Sequence, residues 1–242
     1  MEVTELTNLT NLTGQANSYQ HNLDYIKHNI LEACAKVRRN PEDVRLIAVT
    51  KTVDETALEP LLALGLRDFG ENRWQQAKPK LEHSLAEQGT WHFIGRLQMN
   101  KVKYIAPRFD WVHSIDSLEL VQVLNQHAVS LQRVIRILLQ VNVSQETSKA
   151  GFAPEEAFSV AKQVRDLPGV VLSGLMTMAP QSDVMETARP VFRVLREVRD
   201  DIVQRLDVPL PELSMGMSDD YSVAVEEGAT MVRLGRALLQ LS

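Results

Sequence analysis

A single cysteine, Cys34, stands in this chain of 242 residues, which excludes an intrachain disulfide and any multi-cysteine metal site. It falls on the apolar face of an expected helix, where a buried thiol is a better reading than a nucleophile. Long hydrophobic runs are missing too: no stretch approaches the roughly 20 apolar residues that span a bilayer. The first twenty residues are polar and lack the charged-then-apolar layout of a secretory leader. No membrane partner is expected, and the cytoplasm is the expected compartment. Positive charge is not in excess, with 26 Lys and Arg against 31 Asp and Glu and a net charge of −5. Phosphate contacts dominate nucleic-acid binding and need clustered basic residues, so a nucleic-acid partner is not expected either. The six histidines show no ligand spacing such as His-Glu-x-x-His, and no metal is expected.

Apolar residues make up 44% and charged residues 24%, enough for a sizeable core. Residues 1–17 are polar and read as a disordered tail, with one domain over 18–242. Leu23, Ile26, Ile30, Cys34 and Val37 recur at helical spacing and predict an amphipathic helix ending near Asn40-Pro41. Short β-rich runs follow at Arg45–Thr50, Asp68–Gly70, Trp91–Gly95, Trp111–Ser114, Ile135–Asn142, Val170–Met176, Glu212–Ser214 and Met231–Leu234. Helical stretches alternate with them, near Thr56–Leu64, Arg73–Gln88, Met99–Ile105, Ser117–Leu131, Pro154–Leu167, Thr187–Leu206 and Asp219–Glu227. This predicts an α/β fold, a single TIM-like (β/α)8 barrel with a leading N-terminal helix. An open doubly wound sheet shares the alternation. Eight strands without a Gly-x-Gly-x-x-Gly turn after the first favour the barrel. Pro60 has to sit in the first turn of its helix to avoid kinking it.

Functional residues of such barrels collect at the C-terminal ends of the strands. Those positions here hold Lys51, Asn72, Arg96, His113-Ser114, Asn142, Met176-Thr177-Met178, Ser214-Met-Gly-Met-Ser218 and Gly235-Arg236. Lysine, asparagine, serine, glycine and arginine at one mouth suit a small anion with a reactive carbonyl. Lys51 ends an apolar strand, where partial desolvation would free its amine for Schiff-base chemistry. A solvated lysine at a strand end is the competing reading. The second half of the site favours chemistry: Gly216 and Ser218 precede a helix start, and Gly235 follows the last strand. Together they form a candidate phosphate site of the kind barrels build after strands seven and eight. Asp219 and Asp220 would have to point away from such a phosphate.

Arg233 lies inside the last strand, where a guanidinium needs a partner or a ligand atom. One reading is an ion pair with an interior carboxylate. The other places it at the nitrogen of a pyridine ring, where a permanent cation disfavours ring protonation. His92 and His113 read as structural, and Met176, Met178, Met215 and Met217 as packing around the site. Lys149 is a candidate for assisting anion entry.

The stretches Ala48-Val-Thr-Lys-Thr52, Phe69-Gly-Glu-Asn-Arg73, Trp91–Lys101, His113–Asp116, Gly174–Met178, Leu213–Ser218 and Val232–Gly235 closely resemble the pyridoxal phosphate homeostasis proteins. The resemblance runs in order from about residue 20 to 236. It implies the fold of the alanine racemase N-terminal barrel and pyridoxal 5′-phosphate (PLP) held as an aldimine on Lys51. It implies further that Ser218 and Gly235 bind the phosphate and Arg233 faces the pyridine nitrogen. Asn72, Ser114, Met176, Ser214 and Gly216 fall on matching positions around the cofactor. Where the family closes with Phe-Gly, this chain runs Arg236-Ala-Leu-Leu-Gln, a departure at the last barrel contact. The expected function is a monomeric, non-enzymatic PLP carrier in vitamin B6 homeostasis, exchanging PLP and related vitamers with PLP-requiring apoenzymes. A racemase-like PLP enzyme and a PLP-responsive interaction regulator are the alternatives. A racemase of this fold takes a second acid/base, usually a tyrosine, from an additional β domain.

Overall fold

The computed structural model describes residues 2–144, 146 and 150–241, with the side chains of the leading helix described from Gly14 onward. Eight parallel strands close into a barrel in sequence order: β1 (Arg45–Val49), β2 (Asp68–Glu71), β3 (Thr90–Phe93), β4 (Trp111–Ile115), β5 (Ile135–Gln140), β6 (Val170–Met176), β7 (Glu212–Ser214) and β8 (Met231–Leu234). The circle closes where β1 pairs with β8, with Ile47 opposite Arg233. The strands are near-continuously apolar because each has two covered faces. Outward residues join the shell between strands and helices. Inward residues Ile47, Trp111, Leu138, Met176 and Met231 pack as a separate buried cluster inside the barrel.

Around the barrel lie α1 (Glu2–Val37), α2 (Leu58–Ala63), α3 (Trp74–Glu82), α4 (Val102–Ile105), α5 (Leu118–Ser130), α6 (Pro154–Val164), α7 (Arg189–Leu206), α8 (Tyr221–Glu226) and α9 (Arg236–Leu239). Local signals start several of them. Ser117 caps α5 by accepting the Leu120 N–H at 3.3 Å, and Glu156 reaches back to the Ala153 N–H at 2.8 Å ahead of α6. Pro60 occupies the first turn of α2, as its missing N–H requires.

The leading helix has a structural task. After β8 the chain makes only the one-turn α9, too short to cover the seam between β8 and β1. Helix α1 packs on α2, α8 and α9, which is the place an eighth barrel helix would take. It buries Tyr19, Leu23, Ile26, Ile30 and Cys34 there, so the expected buried thiol is found. Asn22 donates to the carbonyls of Leu238 and Gln240 at 3.1 and 2.8 Å, and Leu238 and Leu239 are buried. The last barrel contact is therefore made without Phe-Gly. Helix α1 begins ahead of the boundary expected at residue 18. The side chains of residues 1–13 lie outside the described residues, and the tail reading falls largely on them. Among the described residues, no helix is long and apolar enough to cross a membrane.

Candidate functional site

Side chains alternate across a strand, so residues two apart share a face. Ile47 faces the interior, and continuing the count through Val49 brings Lys51 to the mouth. The same count carries Gly70 to Asn72, Met231 to Arg233 and Gly235, and Ser214 to Gly216. At the C-terminal end of the barrel a cavity of about 1080 Å³ opens, and Lys51, Asn72, Ser218, Arg233 and Gly235 all line it. Five of the nine expected site residues thus meet at one cavity.

Lys51 is exposed at this mouth, in the turn after β1. The expected partial desolvation is not found, because the apolar strand ends at Val49 and the lysine stands beyond the packed layer. The backbone beneath it is held by a buried pair that sequence reasoning missed. Lys80, 1% exposed, donates to the Thr50 carbonyl at 2.7 Å and to Glu71 Oε1 at 2.6 Å. The Thr50 hydroxyl donates to the same carboxylate oxygen at 2.6 Å. A lysine inside an expected helix carries no sequence mark that it turns inward.

Arg233 is buried, and it donates to Ser214 Oγ at 2.7 Å and to the Thr177 carbonyl at 3.0 Å. Among the described residues it forms no salt bridge, so the expected alternative of an interior carboxylate pair is not found. Burial lowers its pKa to about 10, opposed by the charge of Asp220, and it remains a cation at neutral pH. Two of its five N–H groups are engaged in these bonds, and the residue lines the cavity.

The loops after β7 and β8 are tied together. Ser218 Oγ accepts the Ala237 N–H at 3.1 Å, which leaves its own hydroxyl hydrogen to donate elsewhere. Gly216 has a φ of +92°, and a Cβ there would stand 2.6 Å from the Ala224 Cβ. At Gly235 a Cβ would stand 3.2 Å from the Val49 carbonyl oxygen, so the glycine lets the two strand ends close up. The two acidic residues are occupied: Asp219 pairs with Arg236, and Asp220 accepts the Met217 N–H at 2.6 Å. Burial raises the pKa of Asp220, against the opposing effects of the Met217 N–H and Arg233.

The other four expected site residues stand away from the cavity lining. Met176 belongs to the interior cluster below it. Ser214 lies beneath Arg233, and Gly216 accepts the Arg233 N–H at 3.0 Å through its carbonyl. Ser114 donates its hydroxyl to the Gly95 carbonyl, and a Cβ on Gly95 would run into the Asn72 carbonyl at 2.2 Å. Ser114 thereby supports the turn that carries Asn72. Gln140, which sequence reasoning passed over, lines the cavity and donates to the Ala150 carbonyl at 2.7 Å. Lys149 lies outside the described residues. His92 and His113 are both fully buried in the barrel interior. Among the described residues, no group of three or more potential ligands could hold a metal.

The alanine racemase N-terminal domain profile matches residues 21–242 of this closed eight-stranded barrel and places the chain in that class. Within it, the chain belongs to the pyridoxal phosphate homeostasis protein family. The Pseudomonas aeruginosa pyridoxal phosphate homeostasis protein is 42% identical over 217 residues, covering 90% of this chain and 93% of the relative. The structure of PipY from Synechococcus elongatus with PLP bound is 36% identical, with a TM-score of 0.76 over 87% of this chain and all of that one. An alanine racemase from Clostridium difficile shares the fold at 16% identity and a TM-score of 0.72. There 92% of this chain matches 56% of the racemase.

Proposed function

We propose that this protein binds PLP at the barrel mouth and serves PLP homeostasis, carrying the cofactor covalently on Lys51 without efficient catalysis of its own. The observation that carries the reading is the meeting of Lys51, Asn72, Ser218, Arg233 and Gly235 at one cavity, in a chain related to the PLP-bound PipY. The residues fit the group. Asn72 Oδ1 is buried without a hydrogen-bond partner, an acceptor suited to a ligand donor. The tight approach at Gly235 and the hydroxyl of Ser218 suit a phosphate. The amine of Lys51 suits an aldehyde, with which it would condense, releasing water.

PLP, when bound, supplies that aldehyde and an electron-withdrawing pyridine ring. Each residue then has a task. Lys51 anchors; Ser218 and the backbone at Gly235 orient the phosphate. Arg233 has donors only, so at the ring nitrogen it would favour the unprotonated form and would weaken the ring as an electron sink. The titratable side chains described in the cavity lining are Lys51, Arg96, Asp219, Asp220, Arg233 and Arg236. The two carboxylates are engaged by Arg236 and by the Met217 N–H. This supports a carrier over a racemase, which needs a second acid/base opposite the lysine. The partners proposed are PLP, related B6 vitamers and PLP-requiring apoenzymes, with the protein acting as a cytoplasmic monomer. Titration of purified protein with PLP, followed by absorbance, tests binding. A panel of amino acids tests turnover. Saturable binding without racemisation or decarboxylation is expected, and robust turnover that depends on Lys51 would restore the enzyme reading.

A further inference from the structure

Five polar side chains form an unbroken file through the barrel interior. Arg233 Nη1 lies 2.7 Å from Ser214 Oγ, and Ser214 Oγ lies 2.8 Å from His113 Nδ1. His113 Nε2 lies 3.0 Å from His92 Nδ1, and His92 Nε2 lies 2.9 Å from Asp68 Oδ1. Ser214, His113 and His92 are fully buried. Asp68 opens β2 at the end of the barrel remote from the cavity, where Arg45 stands 3.8 Å away.

With both rings neutral and the Asp68 carboxylate accepting, donor and acceptor counting allows one proton arrangement. A guanidinium only donates, so Ser214 Oγ accepts from Arg233. In that arrangement the single hydroxyl hydrogen of Ser214 goes to His113 Nδ1, which is bare. The proton of His113 therefore sits on Nε2 and is given to His92 Nδ1, which must also be bare. The proton of His92 sits on its own Nε2 and is given to the Asp68 carboxylate. A second proton on either imidazole would require Ser214 to turn its hydroxyl hydrogen away from His113, and one on His92 Nδ1 would also require His113 to move its proton to Nδ1. The two rings also meet edge to face, at 76°.

We propose that Ser214, His113, His92 and Asp68 are positioning residues forming a one-directional hydrogen-bond relay that holds the Arg233 guanidinium in the orientation it presents to the cavity. The relay joins a buried cation at the mouth to an anion at the far end through two neutral rings. Consistent with that neutrality, burial lowers the pKa of His92 despite Asp68, and burial, His92 and Arg233 lower that of His113. The alternative is a passive polar filling that leaves Arg233 indifferent to it. Only the effect on bound PLP rests on the proposed function; the proton arrangement does not.

The test has two independent arms. Long-range ¹H–¹⁵N spectra of wild-type protein without added PLP, at pH 7, are expected to show His92 and His113 both neutral and both protonated on Nε2. An Nδ1–H tautomer or a doubly protonated ring at either position overturns the relay. The second arm reads PLP in Ser214→Ala, Ser214→Thr and Asp68→Ala. Ser214→Ala is expected to shift the absorbance band of bound PLP and weaken binding roughly 3- to 10-fold, on the scale of one charge-assisted hydrogen bond transmitted in part. Ser214→Thr, which keeps the hydroxyl, is expected to restore both. Asp68→Ala, far from the cavity, is expected to shift the band in the same direction by less. Lowered thermal stability with an unmoved band in both alanine variants would overturn the positioning role. Failure of wild-type protein to bind PLP would instead overturn the proposed function and leave the tautomer result standing.

Discussion

Lys80→Met removes one partner of the buried pair beneath Lys51, and its cost can be worked from the contacts. The ammonium is 1% exposed and makes two bonds, to Glu71 Oε1 at 2.6 Å and to the Thr50 carbonyl at 2.7 Å. Methionine restores most of the volume, so little cavity penalty enters. What remains is a buried carboxylate supported only by the Thr50 hydroxyl, since Glu71 Oε2 already lacks a hydrogen-bond partner. Breaking a buried pair in this way costs about 3–5 kcal/mol. A typical total stability of about 5–15 kcal/mol leaves the variant folded but weakened. Urea unfolding followed by far-UV circular dichroism reads the loss. Adding Glu71→Gln removes the stranded charge, so the double variant is expected to lose less than the sum of the two single losses, by about 1–3 kcal/mol. PLP affinity is expected to fall in Lys80→Met as well, because the Thr50 carbonyl is the anchor next to Lys51. A loss below about 1 kcal/mol in the single variant, or strict additivity in the cycle, would refute the reasoning.

Ser218→Ala is expected to weaken PLP more than pyridoxal, by more than a few-fold, since a hydrogen bond to a charged group is worth about 1.5–3 kcal/mol; equal losses in parallel titrations would reduce Ser218 to its contact with Ala237. Gly216→Ala forces a φ of +92° on an L residue and sets its Cβ 2.6 Å from Ala224, so thermal unfolding should show a loss of about 1–3 kcal/mol. His92 and His113 have lowered pKa values when folded, so the unfolded chain binds more protons below about pH 6.5. The stability that keeping them neutral represents is intact above that pH and lost as pH falls toward the folded pKa values. The urea midpoint should therefore drop between pH 7 and 5, and a flat profile over that window would count against neutral buried rings.

Much of the barrel is legible because parallel strands buried on both faces leave short apolar runs. Val170–Met176, Glu212–Ser214 and Met231–Leu234 coincide end to end with β6, β7 and β8. The run expected to Asn142 stops at Gln140, because Val141 forms only an isolated bridge with Phe152. Lys51, Asn72, Arg233 and Gly235 are legible by counting two residues at a time to the mouth. Ser114 is not, because the β4–β5 register shifts between Val112 and Ile115. The contact between His92 and His113 depends on how β3 and β4 lie side by side, and nothing in either strand alone marks it. The place of α1 in the helix ring is likewise a property of closure, invisible until α9 proves one turn long.

The most direct measurement is borohydride reduction of the PLP-loaded protein followed by peptide mass spectrometry. A pyridoxyl adduct on Lys51, with loss of both adduct and yellow colour in Lys51→Ala, is the expected result. An adduct confined to Lys80, Lys101 or Lys149, or colour that survives Lys51→Ala, would contradict covalent carriage on Lys51.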